Sequence, residues 1–74
     1  MEIYFFTRYE DGTNVAGIKE DGKRVIRTIF SSGKDDYVFS DSGLLKFSDS
    51  QQKAYSEFLD SGKSNMEYFD NPLV

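Results

Sequence analysis

The sequence contains neither cysteine nor histidine, so the cross-links that usually stabilise a very short domain are missing: disulfides are excluded, and a zinc ion would find no good ligands. With 74 residues, the chain has room for one hydrophobic core. A core of that size rarely contributes more than about 3–5 kcal/mol of net stability. Seven phenylalanines and five tyrosines offer an alternative, because each ring can bury roughly 150–250 Å². We therefore expect residues 1–74 to form one domain that depends on aromatic packing or on association with another chain.

Most of the chain before residue 48 is predicted to be β-strand. Four segments are rich in β-branched and aromatic residues and are bounded by turn residues. These segments are residues 2–9, 15–20, 23–30 and 37–39. Residues 44–47 fit either a fifth short strand or the approach to a helix. We predict an antiparallel meander of three to four strands over about residues 2–47.

The dipeptide Asp21-Gly22 is the strongest local signal in this region. It favours a two-residue type I′ turn, in which both central positions have positive φ. It therefore predicts a hairpin over residues 15–30. Within that hairpin, Gly17 indicates a bulge or a close approach of another group to the backbone.

A helix is predicted over about residues 49–61. Ser48 followed by Gln51 fits a capping box, in which each side chain bonds the backbone of the other residue. Gly62 stands where a left-handed residue commonly ends a helix. The apolar residues between these signals recur at helical spacing and are Ala54, Tyr55, Phe58 and Leu59. The predicted fold class is therefore α+β, with one C-terminal α-helix packed on one face of the sheet.

The segment after the helix, residues 64–74, carries weaker signals. Ser64 and Glu67 fit a second capping box, and Asn71-Pro72 is a stop signal. We predict a short helical turn at about residues 65–70 within a tail.

The first predicted strand carries apolar side chains on both sides, because neighbouring residues of a strand point to opposite faces. Ile3, Phe5 and Tyr9 share one face, and Tyr4 and Phe6 share the other. If the helix leaves the second of these faces uncovered, Tyr4 and Phe6 are candidate contact residues for a partner.

The third predicted strand has the same two-sided character, with Ile26 and Phe30 opposite Val25 and Ile29. One helix of about three turns covers only one face of a sheet. The second face is then covered either by residues 64–74 or by another molecule, which includes a second copy of the chain.

Negative charge is concentrated in the second half of the chain. Residues 35–74 carry eight of the 13 acidic side chains and three of the nine basic ones. Six of these acids are candidate contacts to a partner with a basic surface: Asp35, Asp36, Asp41, Asp49, Glu57 and Asp60. Ordinary solvated surface is the alternative, because a net charge of −4 is typical of a soluble small domain. Direct binding of nucleic acid is disfavoured, since it normally needs a net basic surface.

Catalytic and cofactor chemistry is also disfavoured. Without histidine and cysteine, the commonest general base, the Ser-His-Asp arrangement and thiol nucleophiles are all missing. Pairs of adjacent acids fall in predicted turns and are typical turn formers, and the glycines form no phosphate-binding loop. We expect a protein that is not an enzyme and that binds neither a metal nor a cofactor.

The sequence also bears on location. It has no run of about 18 apolar residues, which predicts no membrane span. It begins without the basic and apolar segments of a signal peptide, and small secreted domains usually contain disulfides. We therefore expect a cytoplasmic protein.

Two function hypotheses follow. In size, acidity, aromatic content and lack of cysteine and histidine, the chain resembles the small inhibitors that phages and other mobile elements encode, including anti-CRISPR proteins. The resemblance is one of composition and covers no specific residues. It implies a non-enzymatic protein-binding module whose acidic surface engages a basic, nucleic-acid-handling protein. The alternative is a structural module that homodimerises through an exposed aromatic sheet face.

Overall fold

The computed structural model describes residues 1–63 and 67–74. Within these residues the elements are β1 (Glu2–Arg8), β2 (Asn14–Glu20), β3 (Lys23–Ser32), β4 (Asp35–Ser40), β5 (Gly43–Lys46), α1 (Asp49–Ser61) and β6 (Glu67–Leu73). The strands form one antiparallel sheet in the order β5-β4-β3-β2-β1-β6. The α+β class is confirmed, but the sheet has six strands instead of the three to four predicted.

Both additional strands lie at the edges of the sheet. Residues 44–47 were open to two interpretations, and the strand interpretation holds, since β5 pairs with β4. The helical turn predicted at residues 65–70 is wrong over its described part, because β6 is extended and pairs with β1. The first residues of the second capping box, 64–66, lie outside the described residues. Pairing with β6 satisfies the outer backbone groups of β1, and this long-range gain outweighs a weak local helix signal.

The local signals for the hairpin and the helix are confirmed. Asp21 and Gly22 both have positive φ, 51° and 76°, as a type I′ turn requires. The Ser48 hydroxyl accepts a hydrogen bond from the Gln51 amide, and the Ser48 amide donates to Gln51 Oε1 at 2.9 Å. Gly62 ends the helix with φ 67°. The predicted bounds of α1 therefore match the observed ones.

A β-bulge changes which side chains of β1 face the helix. The register against β2 shifts between Ile3 and Phe5, which leaves Tyr4 as an extra residue. The extra residue offsets the alternation by one, so Ile3 and Phe6 both lie in the core beneath α1 with 0% exposure. The predicted grouping of Tyr4 with Phe6, opposite Ile3 and Phe5, is wrong for this reason.

Phe6 occupies the centre of the aromatic core. Its ring centroid lies 5.1–6.1 Å from those of Tyr55, Phe69, Phe58 and Phe47. These rings come from α1, from β6 and from the residue that follows β5. One side chain therefore holds together elements from both ends of the sheet.

The strand β3 belongs to two ladders. Its residues 23–28 pair with β2, and its residues 29–32 pair with β4. Val25 and Ile29 pack against the core beneath α1, whereas Ile26 and Phe30 are exposed on the other side. The two predicted faces of this strand are therefore confirmed.

The buried side chain of Gln51 fastens α1 across the sheet. Its Nε2 donates hydrogen bonds to the carbonyl oxygens of Met1 and Leu73, both at 2.9 Å. The start of the helix is thereby fixed against β1 and β6, which settles the side of the sheet that the helix covers.

Candidate functional site: the open sheet face

The side of the sheet that points away from α1, here called the open sheet face, carries an exposed apolar patch. The patch comprises Ile26, Phe30, Tyr37, Phe39 and Leu44. Four of these side chains are about half exposed: Ile26 at 52%, Phe30 at 48%, Phe39 at 60% and Leu44 at 47%. Other exposed large apolar residues, such as Tyr9 and Leu59, lie singly elsewhere, and single residues of this kind are normal on a protein surface.

The register of the strands joins four of these side chains, those of Phe30, Tyr37, Phe39 and Leu44, into a continuous patch, and Ile26 lies on the same face of β3 four residues before Phe30. Phe30 pairs directly with Tyr37 across β3 and β4, and Phe39 pairs directly with Leu44 across β4 and β5. Side chains of directly opposed residues stand about 4.5–5.5 Å apart at Cβ. The exposed parts of these four side chains give roughly 300 Å² of contiguous apolar surface, which is in the range of patches that are often functional.

The described part of the tail does not cover this patch. β6 extends the sheet alongside β1, at the far edge from β4 and β5. The Phe69 ring packs against Phe6, and the carbonyl of Val74 accepts a hydrogen bond from the Ser48 hydroxyl on the helix side. Of the two alternatives for this face, cover by residues 64–74 is therefore not provided by residues 67–74.

At the other end of the open sheet face, a shallow groove of about 440 Å³ lies between β1, β3 and β6. The Arg24 guanidinium stacks 4.6 Å from the centroid of the Tyr4 ring. Asp70 and Pro72 form the opposite wall. The groove thus combines aromatic and charged groups next to the apolar patch.

Gly17 lies at the floor of this groove, and the aromatic ring of Phe5 packs directly on its backbone. The ring of Phe5 occupies the space that a Cβ at Gly17 would fill. The close approach predicted from this glycine is confirmed, and the approaching group is an aromatic side chain from the neighbouring strand.

Charges on the open sheet face are balanced. Among the side chains that the structure describes, strand alternation and the lining of the groove place three bases and three acids there: Lys19, Arg24, Lys46, Glu2, Asp35 and Asp70. Asp35 and Lys46 form an exposed ion pair at 3.5 Å beside the patch. The net charge of −4 therefore arises from the rest of the chain.

Besides Asp35, two of the acids predicted to contact a partner interact with other side chains of this chain. Asp36 is buried and accepts hydrogen bonds from Ser31 and from the Gln52 side chain, while its amide donates to Gln52 Oε1 at 3.1 Å. Asp41 is exposed, but it lies 3.5 Å from the Arg27 guanidinium. The role of Asp36 is to hold α1 against β4.

The other predicted contact residues are spread over separate surfaces. Asp49, Glu57 and Asp60 are exposed on α1, on the opposite side of the molecule from Asp35. The six predicted acids therefore do not form one surface. Of the two aromatic candidates, Tyr4 lines the groove, whereas Phe6 is fully buried and offers no contact surface.

Sequence reasoning missed Phe39 and Leu44 and did not single out Ile26 and Phe30 as contacts. The signal was present, since alternation places Tyr37 and Phe39 opposite Val38 in the short fourth strand. No local feature of the sequence indicates which face of the sheet the helix covers.

Among the groups that the structure describes, two have a perturbed pKa, and neither lies on the open sheet face. Burial raises the pKa of the Tyr55 hydroxyl, and the nearby Asp36 carboxylate adds to that increase. A hydrogen bond from the Thr13 amide lowers the pKa of Asp11, which is fully exposed in a turn. In residues 1–63 and 67–74, no group of three or more acidic side chains is placed to hold a metal ion.

Over the described ranges, no helix combines the length and the apolar character that crossing a membrane would require. In comparisons with known proteins, the chain matches no protein-family model, no curated protein and no solved structure.

Proposed function

We propose that this chain is a non-enzymatic protein-binding module that docks through its open sheet face onto an apolar protein surface of little net charge. The observation that carries the proposal is the continuous patch on β3, β4 and β5, in which Phe30, Phe39 and Leu44 are about half exposed, with Ile26 about half exposed on the same face.

The arrangement of the face supports this function. Cores of protein interfaces are rich in aromatic residues and poor in charge, and they are surrounded by a polar rim. Phe30, Tyr37 and Phe39 stand at the centre of the apolar patch, and the Asp35–Lys46 ion pair stands at its margin. All of these side chains are mounted on hydrogen-bonded strands, so docking requires little ordering of the backbone.

The acidic-surface hypothesis has less support. It needs several carboxylates on one surface, but Asp36 is occupied by Ser31 and Gln52, and Asp41 is paired with Arg27. An inhibitor that imitates the phosphates of nucleic acid would also lose its affinity at high salt. An apolar interface would keep its affinity under the same conditions.

Site-specific photo-crosslinking tests the proposal. A photoreactive phenylalanine analogue replaces Phe39 in one variant and Leu59 in the other, since Leu59 is an exposed apolar residue on α1. We expect protein adducts from position 39 in the cells that express the chain, and none from position 59.

A second change makes the result specific. Leu44→Lys in the position-39 variant should abolish the adducts, because a lysine beside position 39 places an unpaired charge in the contact. Equal adducts from both positions, or none from either, would overturn the proposal.

A further inference from the structure

We infer that the partner is a second copy of this chain, bound face to face through the open sheet face. This inference rests on the proposed function and identifies the occupant of the same surface. Three properties of the face support it: its charge, its area and its fit to itself.

The balance of charge favours a second copy over a charged partner. Two chains that each carry a net charge of −4 repel one another, and the repulsion is weakest when they meet through surfaces that do not contribute to that charge. The open sheet face is such a surface, since its three bases offset its three acids. Neither a strongly basic protein nor the phosphates of a nucleic acid would find a complementary field there.

The area of the face is sufficient for a dimer of modest affinity. A broad side of a molecule with principal extents of 31 × 28 × 24 Å offers roughly 600–700 Å². Two such sides together reach about 1,200–1,400 Å², at the lower end of specific interfaces. We therefore expect a dissociation constant in the micromolar range.

The pattern of residues on β4 and β5 also fits itself. In a two-fold interface both copies use the same patch. Each residue therefore packs either against its own copy or against a second residue of the patch, which makes the same contact in return. An axis that lies between the two sheets and runs perpendicular to the strands, at the level of the Phe39–Leu44 pair, sets Phe39 against Phe39 and Leu44 against Leu44 of the other copy. The same axis sets Ile26 against Phe30 of the other copy and keeps all six strands facing the interface, while the Asp35–Lys46 pair of each copy stays at the margin.

Sedimentation of the purified chain tests the inference, with concentrations from about 1 µM to about 1 mM. We expect a monomer–dimer equilibrium that is unchanged or strengthened when salt rises from about 50 to about 500 mM, because salt screens the repulsion between two acidic chains. Phe39→Lys should raise the dissociation constant by about 30-fold or more, as the loss of a central interface residue does.

The matched control is Leu59→Lys, which makes the same kind of substitution at an exposed apolar residue on α1. It should leave the dimer intact, and the amide spectra of both variants should report a folded chain. Both substitutions make the net charge less negative, so any loss of dimer at position 39 does not come from added repulsion.

Three results would overturn the inference. The first is a wild-type chain that remains a monomer at the highest concentration, and the second is a dimer that Phe39→Lys does not weaken. The third is binding of a single-stranded oligonucleotide that Phe39→Ser abolishes, which would assign the face to nucleic acid. Position-specific adducts to a different protein, without a dimer, would support the proposed function while overturning this inference.

Discussion

The two faces of the sheet carry the same kinds of apolar side chain, but α1 covers one face and leaves the other exposed. Val38 and Phe39 are neighbours on β4, yet Val38 is fully buried beneath α1 and Phe39 is 60% exposed. Phe6 and Phe39 are chemically identical, but Phe6 lies among four other rings. Residue type therefore does not distinguish the buried core from the exposed patch in this chain. The position of the single described helix does.

The largest expected contrast between the two faces is in stability. Phe6→Ala should lower the free energy of unfolding by about 3–5 kcal/mol, because it leaves a cavity at the centre of the core. Phe39→Ala should lower it by less than about 1 kcal/mol in the monomer, since that ring is largely exposed. Urea denaturation at a concentration that favours the monomer measures both values. Similar losses from the two variants would mean that the open sheet face is a second core.

A smaller loss of stability is expected from a substitution at Gly17, on the part of the open sheet face that β2 contributes. Gly17→Ala should cost about 1–3 kcal/mol, because its Cβ would collide with the ring of Phe5. Phe5→Leu provides space and should reduce that cost when the two changes are combined. Denaturation of the two single variants and the double variant forms the required cycle. Strictly additive costs would show that the ring and the glycine are not coupled.

The last expected effect is confined to alkaline solution and belongs to the covered face. Burial raises the pKa of Tyr55 above its unfolded value of 10.0, so the folded state holds this proton more tightly than the unfolded state does. The corresponding stability is present below about pH 10 and is lost as the pH rises through the folded pKa. Tyr55→Phe should flatten this part of the stability profile, measured by urea denaturation at increasing pH. A profile identical to that of the wild type would show that another group causes the alkaline loss.

The sequence allows prediction of the features that depend on neighbouring residues. The type I′ turn at Asp21-Gly22, the bounds of α1 and the opposite orientation of Ile26 and Val25 all follow from turn chemistry, capping or strand alternation. Each of these depends on a few residues that are close in the chain, so the sequence contains the necessary information.

Features that depend on distant pairing escaped prediction. β6 is a strand because β1 has a free edge, and nothing within residues 67–73 indicates that edge. The bulge at Tyr4 moved Phe6 from the predicted contact surface into the core, and a single extra residue leaves no pattern in so short a strand. The candidate site was therefore predicted as a kind of surface, an aromatic sheet face, but with Tyr4 and Phe6 in place of Phe39 and Leu44.

The division of β3 between two ladders has a consequence for the order of folding. The apolar patch lies on three strands joined by the short turns of consecutive hairpins, so its contacts are close in sequence and inexpensive to form. The pairing of β1 with β6 instead joins Ile3 to Leu73, near opposite ends of the chain, and must close the largest loop. We expect the apolar patch to be assembled before the chain has closed around its core. A nascent chain would then expose the proposed docking face while the ladder between β1 and β6 is still forming.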